Sequence, residues 1–121
     1  MGMSFGIASR TANGIEILTL HGRLVLGDGT GQVRAAVQRA LAQPTTRGLV
    51  LDLSGLAYMD SAGLGELVGA YASAAAKNRA LKLLRPHERI GSLLQVTKLY
   101  STFDVFPDEA AALASFAQGA E

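Results

Sequence analysis

The chain of 121 residues is 49% hydrophobic and 17% charged, a composition that excludes disorder and predicts one compact domain over residues 1–121. Its 11 basic and 10 acidic side chains are mixed along the chain with a net charge of +1, so no basic stripe indicates nucleic-acid binding. There is no cysteine, no apolar run near the roughly 20 residues that span a bilayer, and no signal-peptide pattern in residues 1–5, so we expect a cytoplasmic protein that binds no membrane.

The chain begins with a predicted β-hairpin. Strands are predicted over residues 5–11 and 15–20, the second rich in β-branched and aliphatic residues. Asn13-Gly14 between them is a strong turn signal, because both positions tolerate positive φ. The glycine-rich residues 22–31, which include Asp28, then indicate a loop or a strand edge.

Two helices and a buried strand follow. Thr30 is the candidate cap of the first helix, Pro44 ends it, and its apolar residues recur at helical spacing. They are Val33, Ala36, Val37, Ala40 and Leu41. The nearly continuous apolar run 49–53 is typical of a central strand covered on both faces. A predicted loop to Asp60 leads to the second helix, whose apolar residues are Leu64, Leu67, Val68 and Tyr71.

The last third of the chain predicts two more strands and two more helices. Strands are expected over residues 81–84 and 103–106. Pro86 suits the first turn of the third helix. Pro107, Asp108 and Glu109 open the fourth helix, where acidic residues favour the positive end of the helix dipole. The inward residues of these two helices are Ile90, Leu93, Leu94, Leu113 and Phe116.

The predicted element order is ββαβαβαβα. Strands that alternate with helices imply parallel pairing, whereas the opening hairpin adds an antiparallel pair. The expected fold is therefore α/β, with a mixed sheet of about five strands packed with about four helices.

The most informative segment is residues 51–71, LDLSGLAYMDSAGLGELVGAY. Its helix starts at Asp60 and Ser61, two residue types that cap helices well. Gly63 and Gly65 lie in the first turns, where each glycine costs up to about 1 kcal/mol relative to alanine. Such a cost indicates a packing or access requirement, because a missing β-carbon allows another backbone or a partner to approach closely.

This segment resembles the signature of the STAS family: a strand, a loop with an aromatic residue and a methionine, and then Asp-Ser-Ala-Gly-Leu-Gly. The element order is also that of the family, so the resemblance covers nearly the whole chain. It implies an anti-sigma factor antagonist, which binds an anti-sigma factor with serine kinase activity and thereby releases a sigma factor. It further implies that the kinase phosphorylates Ser61 and breaks the complex, and that a serine phosphatase resets it.

The resemblance also implies a partner-binding surface around Ser61. We expect no cofactor, and no metal because the two histidines of the chain stand alone. Its candidate residues are Asp60, Ser61, Ala62, Gly63, Leu64, Gly65, Asp28 and Tyr58. Family members often carry an acidic residue shortly after the second strand, and here Asp28 is displaced from the simplest match, Val25. A phosphoserine at a helix N-terminus faces free backbone N–H groups, so the fold should tolerate a charge that the partner surface does not.

Several alternatives stay open at the level of sequence. Ser61 is an N-cap if no switch exists, and Asp60 is either a cap or a determinant of kinase recognition. One of Tyr58 and Met59 packs in the core, and the other lines the partner surface. A scaffold STAS domain, in a signalling or transporter-associated complex without phosphorylation, is the alternative function.

Enzymatic functions are disfavoured. Gly63, Gly65 and Gly69 imitate a dinucleotide-binding turn, but that fingerprint follows a strand directly and needs a later acidic residue. His21 and His87 suggest a hydrolase triad with Ser61, yet the nucleophile elbow Gly-x-Ser-x-Gly is missing. We therefore expect no enzyme.

Overall fold

The computed structural model describes residues 4–118, so residues 1–3 and 119–121 of the predicted domain lie outside the described part. Its strands are β1 (Gly6–Ala12), β2 (Ile15–Leu24), β3 (Gly48–Met59), β4 (Ala80–Leu84) and β5 (Val105–Phe106). Its helices are α1 (Asp28–Ala42), α2 (Ser61–Ala76), α3 (Glu88–Val96), α4 (Tyr100–Phe103) and α5 (Glu109–Gln118). The α/β prediction with a mixed five-stranded sheet is confirmed.

The sheet follows the chain in the order β1-β2-β3-β4-β5. The predicted hairpin is confirmed: β1 and β2 are antiparallel, and both turn residues have positive φ, 55° at Asn13 and 80° at Gly14. The pairs β2–β3, β3–β4 and β4–β5 are parallel. The carboxyl ends of β2 and β3 therefore lie side by side, and the chain enters α1 and α2 from that edge.

Helices cover both faces of the sheet. Four helices, α1 to α4, share the larger core with one face of the strands. Helix α5 packs Ala112 and Phe116 against Ile15, Ile17 and Val50 on the other face. This two-sided covering explains why the first six residues of β3 are all buried and why all of them except Asp52 are apolar.

Strands β2 and β3 run further than the sequence predicted. Residues 22–24 of the glycine-rich segment and residues 54–59 before Asp60 are strand, since Arg23 pairs with Tyr58 and Leu24 with Met59, whereas residues 25–27 form the connection to α1. Irregularities in the ladder near Gly22, whose φ is 92°, accommodate the extension. The loop predicted before Asp60 was wrong because cross-strand pairing overrides the local preference of glycine, and at residues 22–24 the structure has the strand alternative.

The predicted helix stripes are confirmed except at Val68, but two helix starts differ from the prediction. Thr30 is not the cap, because α1 begins at Asp28 after Gly27, and the Thr30 hydroxyl contacts the Gly27 backbone from the first turn. Pro86 precedes α3, whose N-cap is His87.

Two further differences concern the helices. Residues 100–103 form the short helix α4, so the last strand is only Val105–Phe106. Phe103 instead packs its ring edge-on against Tyr71, with 5.6 Å between ring centroids. Val68, expected inside, is 40% exposed on α2.

Candidate functional site

The candidate site lies where β3 ends and α2 begins. Met59 is the last residue of β3, Asp60 is the N-cap of α2, and Ser61 is its first residue. The loop between β2 and α1 lies beside this junction, because the Asp60 N–H donates to the carbonyl of Leu24 at 3.2 Å. Most of the residues predicted for the partner surface are thus brought together by the β2–β3 pairing.

Asp60 fixes the start of α2. One carboxylate oxygen accepts a hydrogen bond from the Gly63 N–H at 2.8 Å, and the other accepts from the Leu26 N–H at 3.2 Å. These hydrogen bonds, that from Gly63 first, hold the pKa of the Asp60 carboxyl below its ordinary value of 3.8. Asp60 therefore has the geometry of the cap alternative, and it also ties the β2–α1 loop to α2.

Ser61 is not the helix cap. Asp60 occupies that position with extended backbone, φ −92° and ψ −176°, and Ser61 is the exposed residue that follows. As the first residue of α2, Ser61 lies beside the positive end of the helix dipole. The capping alternative for Ser61 is thereby corrected, and its hydroxyl is accessible.

The two glycines of the motif have different surroundings. A β-carbon added at Gly63 would lie 2.4 Å from the Leu24 carbonyl oxygen and 2.8 Å from Met59 Cγ. A β-carbon added at Gly65 would meet no neighbouring side chain or strand within 4 Å among residues 4–118. Gly63 is therefore required by packing within the chain, whereas Gly65 leaves an open surface on α2.

The remaining candidates differ in exposure. Met59 is buried in the core, as expected for one residue of the pair, and Tyr58 is half-buried. Ala62 is half-buried, and Leu64 is a half-buried residue that packs against the core. Asp28 is exposed in the first turn of α1, two residues after Leu26, whose N–H contacts Asp60.

The sequence did not predict two residues that lie at the candidate site, Leu26 and Arg23. Leu26 is 78% exposed and supplies the backbone link to Asp60. Arg23 places its guanidinium 4.5 Å from the ring centroid of Tyr58, a cation–π contact. Neither follows from local pattern, since both depend on the extension of β2 alongside β3.

Residues 4–118 contain neither a membrane-spanning helix nor a cluster of metal-binding side chains. No helix there is long and apolar enough to cross a bilayer. The same residues contain no group of three or more histidine, aspartate or glutamate side chains placed to hold a metal ion.

Solved structures with the same fold include anti-sigma factor antagonists and a sulfate transporter family protein. The Thermotoga maritima protein TM1081 superposes with a TM-score of 0.83 at 18% identity, covering 92% of this chain and 94% of that one. SpoIIAA of Bacillus, an anti-sigma factor antagonist, superposes in its phosphorylated form with a TM-score of 0.70 at 21% identity, covering 93% and 98%. A sulfate transporter family protein from Wolinella succinogenes gives 0.76 at 18% identity, covering 90% and 89%.

The sequence itself assigns the family. Comparison with the curated proteins gives no significant match. The family model of the STAS domain, however, matches residues 7–112, which is most of the chain. The chain therefore belongs to the STAS domain family.

Proposed function

We propose that this protein is an anti-sigma factor antagonist switched by phosphorylation of Ser61. Unphosphorylated, it binds an anti-sigma factor with serine kinase activity and so releases a sigma factor. Phosphorylation by that kinase ends the interaction, and a serine phosphatase restores it. The protein itself catalyses no reaction. The observation that carries the proposal is the exposed Ser61 at the start of α2. It lies directly after the capping residue Asp60, and the surface of α2 at Gly65 is open.

The electrostatics of the helix start support a switch that acts on binding. A phosphoserine carries about −1.5 to −2 charges, which the N-terminus of a helix accommodates. The Asp60 carboxylate is already ionised beside it and occupied by backbone hydrogen bonds. A partner that packs against this surface would have to desolvate both charges, which is costly. Asp28 adds a further exposed carboxylate to the same side of the domain.

A second candidate is a scaffold STAS domain without phosphorylation. The similarity to a sulfate transporter family protein and the displaced position of Asp28 favour it. In that case Ser61 is only a polar surface residue, and a charge there leaves the partners unchanged.

The test compares baits in native lysate, with partners identified by mass spectrometry. Wild type and Ser61→Ala should retain an ATP-binding serine kinase, and Ser61→Asp should lose it. Ser73→Asp is a matched control, because Ser73 is an exposed serine on the same helix, more than three turns away. Equal kinase retention by Ser61→Asp and wild type would refute the switch, and identical partners without a kinase would support the scaffold.

A further inference from the structure

A groove lies between the end of β3 and helix α3, next to the helix start that carries Ser61. We call it the α3 groove; it has a volume of about 310 Å³. Its lining residues are Tyr58, Met59, Arg89, Ile90, Ser92, Leu93 and Val96. Met59 precedes Ser61 by two residues, a chain distance of at most about 7 Å.

The groove is apolar and open. Ile90 and Leu94 of α3 are buried in the core, whereas Leu93 is half-buried and Val96 is 79% exposed. Leu93 and Val96 are three residues apart, so they form a second apolar row on the helix. The volume lies at the lower limit of ligand pockets, about 300 Å³. This size and the exposed rim suit a few inserted side chains better than an enclosed small molecule.

The charged side chain that lines the groove is basic. In the described part of the chain, Arg89 is the only charged residue that lines the groove. A second arginine, Arg23, stacks on the ring of the lining residue Tyr58. Arg10, Arg34 and Arg85 each form an ion pair, but neither Arg23 nor Arg89 has a carboxylate within 4.0 Å among residues 4–118. Glu88 is adjacent to Arg89 in sequence, and adjacent residues on a helix do not face each other.

We propose that the α3 groove binds the apolar face of an acidic amphipathic helix of the partner protein, whose carboxylates face Arg23 and Arg89. A helix suits the groove because Leu93 and Val96 form an apolar row one turn long on α3, which matches the i, i+3, i+4 anchor spacing of an amphipathic helix. Anchors at positions i, i+3, i+4 and i+7 would contact Tyr58, Leu93 and Val96. The proposal locates the partner contact and thus rests on the proposed function.

The test uses two designed, fluorescein-labelled helical peptides of about 18 residues with the same leucine spacing, one with glutamate and one with lysine at the polar positions. Fluorescence anisotropy with the full chain should show the acidic peptide binding at least about tenfold more tightly. Arg89→Glu should abolish this preference, whereas Arg39→Glu, an exposed arginine in the last turn of α1 with the same charge change, should not.

A second pair of variants tests the apolar row. Val96→Asp should weaken the acidic peptide about tenfold or more, whereas Val68→Asp on α2 should leave its affinity unchanged. Both valines are exposed, so circular dichroism should show an intact fold. Equal affinity for the two peptides, or equal losses in the test and control variants, would overturn the proposal.

Other occupants give distinct results. Sedimentation velocity that shows a wild-type dimer and a Val96→Asp monomer would assign the groove to a second copy of the chain and overturn the proposal. If decanoate displaces the acidic peptide and binds with the same affinity, the groove would be assigned to a small amphiphile and the proposal overturned. The peptide assay involves no phosphorylation, so failure of the Ser61 switch with intact peptide binding refutes only the proposed function.

Discussion

Gly63 and Gly65 lie two residues apart in α2, yet replacement by alanine should change the stability of the domain in opposite directions. At Gly63 the new β-carbon would lie 2.4 Å from the Leu24 carbonyl oxygen, and that oxygen belongs to the backbone of β2. The helix start must therefore move away by roughly 1 Å, because carbon and oxygen atoms do not pack closer than about 3 Å. At Gly65 the new methyl group enters open space.

The magnitudes follow from these surroundings. Overpacking of this kind costs about 1–3 kcal/mol. The movement also stretches the hydrogen bond from the Asp60 N–H to Leu24, already 3.2 Å long, at a cost of up to about 1 kcal/mol. Alanine returns up to about 1 kcal/mol of helix propensity, so Gly63→Ala should lower the free energy of unfolding by about 1–3 kcal/mol. Gly65→Ala has only the propensity gain and should raise it by about 0.5–1 kcal/mol.

Urea unfolding followed by circular dichroism measures both changes, with Gly69→Ala as a second open-surface control that should also stabilise. Affinity for the anti-sigma factor is the second readout. If Gly65 contacts the partner, Gly65→Ala should weaken binding although it stabilises the fold. A destabilised Gly65→Ala, or a Gly63→Ala as stable as wild type, would refute the packing argument.

Three further predictions concern single side chains. Asp60→Asn should lower Tm near neutral pH, and the difference in Tm from wild type should disappear below pH 3.8. The reason is that folding lowers the pKa of Asp60, so its ionised carboxylate stabilises the folded state above the unfolded pKa and this stabilisation is lost as the pH falls through the folded pKa. A Tm difference that stays constant across a pH series would contradict this. Arg85→Ala leaves the buried Asp52 carboxylate, 6% exposed, without its ion-pair partner at 3.1 Å. The free energy of unfolding measured in urea should fall by about 1–3 kcal/mol, less than for a fully buried pair because Arg85 is 44% exposed. No measurable change would contradict the pairing. Lys98→Gly should raise the free energy of unfolding by about 0.5–1 kcal/mol, because Lys98 follows α3 with a φ of 63°, a left-handed conformation that glycine adopts without strain. A loss of stability would show that the left-handed backbone is not strained there.

The parts of the fold that depend on local pattern were predictable. The Asn13-Gly14 turn, the apolar stripe of α1 and the buried start of β3 were all expected, since each is encoded within a few residues. The extended ends of β2 and β3 were not, because Gly22 and Gly55 favour loops locally and only the pairing of the two strands keeps them in the sheet. The helix α4 was missed for a related reason: its four residues carry too little periodicity to be distinguished from a strand.

At the candidate site too, the sequence predicted what is encoded locally and missed what depends on contacts between distant residues. The sequence indicated that the helix begins at Asp60 and Ser61, but it offered both residues as caps and left the choice open. The choice depends on which carboxylate or hydroxyl reaches the Gly63 N–H, a matter of backbone geometry at the end of β3. The involvement of Leu26 depends on the neighbouring strand, and no spacing in the sequence relates residue 26 to residue 60.

The position of Asp60 also limits what it can contribute to recognition. Because backbone N–H groups already occupy both of its oxygens, a kinase would sense its charge more than its hydrogen-bonding capacity. Its two contacts also make α2 and the β2–α1 loop move together, since any displacement of the helix start must break or carry the bond to Leu26. A phosphate at Ser61 would add negative charge next to this fixed carboxylate. The helix dipole favours that charge, while Asp60 opposes it. A phosphate at Ser61 would therefore form a pair of negative charges with the carboxylate that caps α2 and holds the β2–α1 loop, and a partner at this edge would meet both charges together.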